Sequence, residues 1–234
     1  MKNETAKKCG SMFMLWLVAT GLAVAADDFQ PVPKSDLPAL WQFFDAAQSR
    51  VTNLVANITQ TKTLKVFQQP IVSEAKLWFH RPNLFRWEVV KPVPSLTISD
   101  GKWLWMYYPE FQQAERYLMN DPRLGSSPFR ALSASLGGNP ASLTNSCDVT
   151  VLTSAQFYRM DVAPRDPKER QFLSRLVLDF DRKTLLVART GMESPNGDRT
   201  ENEYKDSNIN QPLDDALFHF VPPSNVKVVS PFGK

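Results

Sequence analysis

Ser95-Leu96-Thr97-Ile98-Ser99-Asp100-Gly101-Lys102-Trp103-Leu104-Trp105-Met106-Tyr107-Tyr108 is the stretch that decides the fold. An Asp-Gly pair between two alternating runs is a strong hairpin signal. A two-residue turn centred on Asp100-Gly101 pairs Ser99 with Lys102, Ile98 with Trp103 and Leu96 with Trp105. Opposed residues share a face, so Leu96, Ile98, Trp103, Trp105 and Tyr107 fall on one side. Thr97, Ser99, Lys102, Leu104, Met106 and Tyr108 fall on the other. The second strand is therefore apolar on both sides, whereas a half-solvated antiparallel strand alternates apolar with polar. Both faces need cover. Either the sheet has a core on one side and a helix on the other, or it curves around an apolar cavity.

The period-two pattern extends outward from this hairpin. Residues 54–66, 74–80 and 84–90 precede it, separated by turn signals at Gln69-Pro70 and Arg81-Pro82-Asn83. After an interruption it resumes at 148–153, 156–163, 171–180, 184–193 and 199–206, with a last strand expected over 217–221. Upstream, Leu37, Leu40, Trp41, Phe44, Ala47 and Val51 recur at helical spacing, which predicts an amphipathic helix over about 36–51 capped by Ser35. Within the interruption, Ser127-Pro128 opens and Gly137-Gly138 closes a short helix whose apolar stripe is Phe129, Leu132 and Leu136. Another short helix is expected over 214–217. Many antiparallel strands with short turns and no repeat or linker predict one mainly β domain over 26–234.

Residues 1–25 read as a secretory signal peptide. Lys2, Lys7 and Lys8 form the basic start, residues 12–19 an apolar run too short to span a membrane well, and Ala23-Val24-Ala25 a cleavage site. The whole chain of 234 residues has a formal charge of +3. Removing the leader takes three Lys and one Glu and leaves about +1, so the electrostatic case for nucleic-acid binding disappears. Cys9 leaves with the leader. Cys147 remains as a single, buried and inert thiol, with no intramolecular disulfide.

Catalytic signatures are missing: there is no G-x-S-x-G, no H-E-x-x-H and no Gly-rich phosphate loop. His80 and His219 lie far apart, although a triad assembled from distant residues is not excluded by sequence. Asp179 and Asp181 share a strand face and are expected to be solvated. In Trp78-Phe79-His80-Arg81-Pro82-Asn83-Leu84-Phe85-Arg86-Trp87, Arg81 stands beside an aromatic wall formed by Phe85, Trp87 and Val89. It is either a solvated turn residue or a guanidinium able to bind carbonyls across a cavity mouth.

The run Lys76–Trp87, with Ile98-Ser99-Asp100-Gly101-Lys102-x-Leu104-Trp105, Ser127-Pro128-Phe129 and Phe218-x-Phe220-x-Pro222-Pro223, resembles the periplasmic outer-membrane lipoprotein carriers, the LolA-type chaperones. The resemblance covers nearly all of the chain after the leader. It implies an unclosed antiparallel β-barrel of about eleven strands with an N-terminal helix and short lid helices. It also implies a non-enzymatic, cofactor-free and monomeric periplasmic chaperone. Its apolar cavity would take lipoprotein acyl chains from an inner-membrane ABC transporter and pass them to an outer-membrane receptor. Arg81 matches the family's lid latch. The cavity wall is then expected from Phe85, Trp87, Val89, Leu96, Ile98, Trp103 and Trp105, with Phe129, Leu132 and Leu136 on the insert helix. Asn225 stands where many members have Gly, and residues 164–170 form a longer loop. A lipid or glycolipid carrier or sensor on the same scaffold therefore remains an alternative, followed by a secreted β-sandwich hydrolase.

Overall fold

The computed structural model describes residues 27–119 and 140–231. The expected leader and the expected helix with Phe129, Leu132 and Leu136 lie outside the described residues. One helix, α1 (Leu37–Gln48), precedes most of a single sheet. Its strands are β1 (Gln30–Pro31), β2 (Asn53–Thr63), β3 (Ile71–His80), β4 (Leu84–Lys91), β5 (Ser95–Asp100), β6 (Trp103–Tyr108), β7 (Gln113–Leu118), β8 (Cys147–Thr153), β9 (Phe157–Pro164), β10 (Arg175–Asp181), β11 (Val187–Glu193), β12 (Arg199–Ile209) and β13 (Lys227–Val229). They lie in the order β1-β8-β9-β10-β11-β12-β2-β3-β4-β5-β6-β7-β13, so β1 and β13 are free edges and the sheet is unclosed.

The expected count of about eleven strands becomes thirteen, and β13 pairs with β7 in parallel rather than antiparallel. β7 was missed because Gln113-Ala114-Glu115-Arg116-Tyr117-Leu118 places polar groups on both parities and shows no clean alternation. The strand expected over 217–221 is instead the end of a 3-10 turn, Asp215–Phe218, opened by Asp214, whose carboxylate accepts from the Ala216 amide at 2.9 Å. Helix α1 is shorter than expected at both ends. Ser35 does not cap it; its hydroxyl bonds the Asp36 carboxylate at 2.8 Å, and Pro38 occupies the first turn.

The central hairpin turns on Gly101-Lys102, one residue later than expected. Ser99 faces Leu104, Ile98 faces Trp105 and Leu96 faces Tyr107. Gly101 takes φ +86°, which only glycine adopts without strain, and the Asp100 carboxylate accepts from the amides of Lys102 (2.8 Å) and Trp103 (2.6 Å). The pairing shifts by two residues, so each side chain keeps the face assigned to it by alternation.

Bulges at Glu74/Ala75, Asp179/Phe180 and Lys205/Asn208 help coil the sheet. Its concave face carries Leu54, Ala56 and Ile58 of β2, Leu77 and Phe79 of β3, Met160 and Val162 of β9 and Leu176, Leu178 and Phe180 of β10, all buried. Helix α1 packs on this face: Phe44 is fully buried, edge-on to Phe180 (5.1 Å between ring centroids) and to Tyr158 (5.7 Å). Antiparallel alternation sends successive turns to opposite ends of the sheet. Turns 81–83, 101–102 and 182–186 lie at one end, called here the latch end. Loops 64–70, 92–94, 109–112, 165–174 and 194–198 lie at the other, the open end.

Candidate functional site

Helix α1 occupies the concave face toward the latch end and is fastened there at its C-terminus. A helix-terminal carbonyl, that of Gln48, accepts from Arg81 Nη2 at 2.8 Å as well as from the Val51 amide at 3.1 Å. The Gln48 side chain, itself buried, donates to the Leu185 carbonyl at 2.5 Å. Leu185 takes φ +54°, an uncommon conformation for a residue with a side chain. Here it buries the leucine while its carbonyl meets the helix. Arg81 thus ties the turn between β3 and β4 to the helix.

That turn is knotted to the central hairpin. Ser99 Oγ donates to the Asn83 carbonyl at 2.8 Å and accepts from the Gly101 amide at 3.1 Å. Asn83 Nδ2 reaches the Gly101 carbonyl at 3.3 Å, and a Cβ on residue 101 would stand 3.0 Å from Asn83 Oδ1. The Arg-Pro-Asn and Ser-Asp-Gly segments, separate in sequence, form one junction that carries Arg81.

Beyond α1, toward the open end, the concave face leaves a cavity of about 280 Å³. Trp87, Val89, Met106, Leu176 and Met192 supply apolar wall, with Ser95, Thr97 and Tyr108 beside them. Across β2, β12 and β11 runs a polar strip: Gln60 Nε2 donates to Asn202 Oδ1 at 2.8 Å, and Asn202 Nδ2 to Thr190 Oγ1 at 3.0 Å. Lys62 lines the same space. On the inner face of β7, burial and then the bond from Tyr117 to Glu115 (2.6 Å) hold the Tyr117 phenol well above its ordinary pKa, so it stays protonated.

The structure divides the residues expected to line the cavity. Trp87 and Val89 line it, and Phe85 lies on the same face, buried in the core next to it. Leu96, Ile98, Trp103 and Trp105 do not: this is a correction. Phe85 is opposed by Ser99, Trp87 by Thr97 and Val89 by Ser95, so the small hydroxyl residues of β5 share the inner face. The inner residues of β6 are accordingly Leu104, Met106 and Tyr108. The four bulky residues point outward, where the C-terminal segment crosses them. Phe220 packs on Trp105 (5.4 Å) and Tyr107 (5.3 Å), and Arg116 lies over Trp103 at 4.3 Å. The hairpin is covered on both faces, as its composition requires, with the two sides exchanged. Met106 could have been found from the correct β4–β5 register, and Met192 from the pairing of β11 with β10, where it opposes Leu176. The Gln60–Asn202–Thr190 strip left no local signal, because it joins the β11–β12 hairpin to β2, 142 residues away in sequence.

A second hollow, of about 450 Å³, lies on the convex face of β9–β12 and β2 and is walled by charge. Asp179 is only 1% exposed, bound through both oxygens by Arg159 at 2.7 and 2.8 Å, with Arg189 at 3.5 Å. Its expected solvation is thereby corrected. Phe29 and Phe157 stack on these guanidinium groups at 3.8 and 4.1 Å. Cys147 is buried. Among the described residues no cluster of His, Cys, Asp and Glu is placed to hold a metal, and no helix is long and apolar enough to cross a membrane.

Residues 49–221 match the family model described as outer membrane lipoprotein carrier protein LolA. The chain belongs to this family. The outer-membrane lipoprotein carrier protein of Sodalis glossinidius is 31% identical over 193 residues, 81% of this chain and 88% of that one. The protein of the same name from Chromobacterium violaceum is 27% identical over 92% of this chain and 98% of its own. A solved LolA superfamily protein from Nitrosomonas europaea superposes with a TM-score of 0.42 at 10% identity, over 76% of this chain and 96% of that one. The matched segment contains the Arg81 turn, the hairpin and the cavity wall, and begins at the end of α1.

Proposed function

We propose that this protein is a periplasmic chaperone that shelters lipoprotein acyl chains in the concave cavity and carries them from an inner-membrane ABC transporter to an outer-membrane receptor. The observation that carries the reading is the cavity: a curved sheet leaves an apolar space beside Trp87, Met106 and Met192, and a helix fastened by one guanidinium limits it. Family membership supports the same cargo. Burial of each methylene contributes about 0.8 kcal/mol, so even part of one acyl chain is held firmly in such a space. Release then requires that closure of the apo form offset cargo affinity, which is the role assigned to Arg81 and α1. The carrier works as a monomer, after cleavage of its leader, and catalyses no reaction.

The polar strip Gln60–Asn202–Thr190, with Lys62, favours cargo that carries ester or headgroup oxygens close to its chains. A glycolipid carrier on the same scaffold is the second reading. Mass spectrometry of the protein purified from periplasm without detergent tests both. Co-purified triacylated lipoprotein supports the first, and free glycolipid the second. Protein free of any acylated molecule, even after mixing with lipoprotein, contradicts both.

A further inference from the structure

Large exposed hydrophobic side chains are not scattered over this molecule. Of eleven among the described residues, nine lie in the loops of the open end or on strand residues next to it. Val66 (82% exposed) and Phe67 tip the loop after β2, Val93 the loop after β4, Phe111 (72%) the loop after β6 and Phe172 (60%) the loop after β9. The two exceptions are Phe43 on α1 and Val221 on the segment that crosses the convex face.

Sheet topology brings these tips together. Each loop follows a strand that runs toward the open end, so all of them project the same way. The cavity lies at this end too: Lys62, Val89, Ser95, Tyr108, Leu176 and Met192, at the open-end termini of their strands, line it. Monomeric proteins rarely present exposed apolar groups so concentrated without a partner. The arrangement favours a fluid partner over a shaped one, because the tips stand on separate loops rather than forming the contiguous packed core of a protein interface. Cations lie among them: Lys62, Lys65, Lys91, Lys168 and Arg170. Acids stand there too: Glu110 beside Phe111 and Glu169 between Lys168 and Arg170, with Asp166 capping the short helix Pro167–Arg170, Asp198 accepting from the Lys65 amide at 2.9 Å and Glu74 paired with Lys91 at 3.1 Å, which leaves Lys62, Lys65, Lys168 and Arg170 as the long side chains able to reach headgroups. Apolar tips ringed by long cationic side chains suit a bilayer interface with anionic headgroups.

We propose that the open end docks on a lipid bilayer surface, with the loop tips entering the headgroup region and the lysines meeting anionic lipid. This goes beyond the carrier reading, since docking needs no cargo in the cavity. The test is co-sedimentation of the whole protein, free of detergent, with vesicles of phosphatidylethanolamine containing phosphatidylglycerol and with vesicles of phosphatidylcholine alone. Wild type is expected to bind the anionic vesicles more strongly, and less so at high salt. The double variant Phe67→Ser, Phe111→Ser should lose about tenfold or more in binding, while Val221→Ser binds as wild type. Retention of acylated cargo, measured on the same variants, should be unchanged, which separates failure of docking from failure of the carrier reading. The proposal is overturned if wild type binds neither vesicle, if the double variant binds as well as wild type, or if Val221→Ser loses as much. It is overturned equally if the double variant impairs only hand-over to a receptor protein in solution while vesicle binding is absent.

Discussion

Arg81 shows how much one side chain is asked to do. Its bond to the Gln48 carbonyl is charge-assisted and half-buried, and such a bond contributes about 1.5–3 kcal/mol. A difference of that size shifts a two-state equilibrium about tenfold or more. Arg81→Leu is therefore expected to loosen α1 and retain cargo, seen as slower release of lipoprotein to the receptor; release at the wild-type rate sinks the latch. Asp179 is a purely structural counterpart on the other face. Asp179→Ala leaves Arg159 without its carboxylate, while Arg189 keeps Asp27 at 2.7 Å; because Arg159 is partly exposed the loss falls near the lower end for such pairs, about 3 kcal/mol by urea unfolding. At Asp181 burial pushes the carboxyl pKa upward, but bonds from the Thr184 amide and hydroxyl and the Lys183 amide outweigh it and hold the group below its ordinary 3.8. The turn is thus stabilised fully above that ordinary value and loses the contribution as pH falls through the lowered one. An NMR titration of the Asp181 carboxyl should show a midpoint under 3.8; a midpoint above it contradicts this account of the turn.

Among the elements, α1 and the β5–β6 hairpin show what sequence can and cannot convey. The helix was legible because apolar residues recur at 3.6-residue spacing, and its stripe does face the sheet through Leu40 and Phe44. What it fastens to was not legible, since Leu185 is 137 residues from Gln48. The hairpin's two apolar faces were legible from alternation alone. Which face turns inward was not, because that depends on the register with β4 and on a C-terminal segment more than a hundred residues away that covers the outside. β7 and β13 escaped notice for lack of a period-two signal or for brevity. If α1 is a plug rather than a permanent part of the core, Phe44→Ala should weaken it by about 3–5 kcal/mol while leaving the sheet folded. Hydrogen exchange would then show α1 amides exposed and β9–β10 amides still protected. Cooperative loss of both would mean that helix and sheet form one indivisible unit.

On the scale of the whole molecule, thirteen strands form an open trough whose latch end is stopped by a helix and whose open end keeps a cavity. Opening and closing a helix over such a face needs no rearrangement of the sheet, which suits the binding and release proposed for acyl chains. The family was legible in two short motifs, and the structure gives those motifs a physical reason: Asn83, Ser99 and Gly101 lock them into the junction that positions Arg81. The central claim, that acyl chains lie on the inner face of the sheet, can be tested with neighbouring residues that point to opposite sides. A photoactivatable side chain is placed at Met106 in one variant and at Trp105 in another, and each is irradiated with bound, radiolabelled lipoprotein. The account predicts crosslinks to the acyl chains from Met106 and none from Trp105; crosslinks from Trp105 with none from Met106 would contradict it.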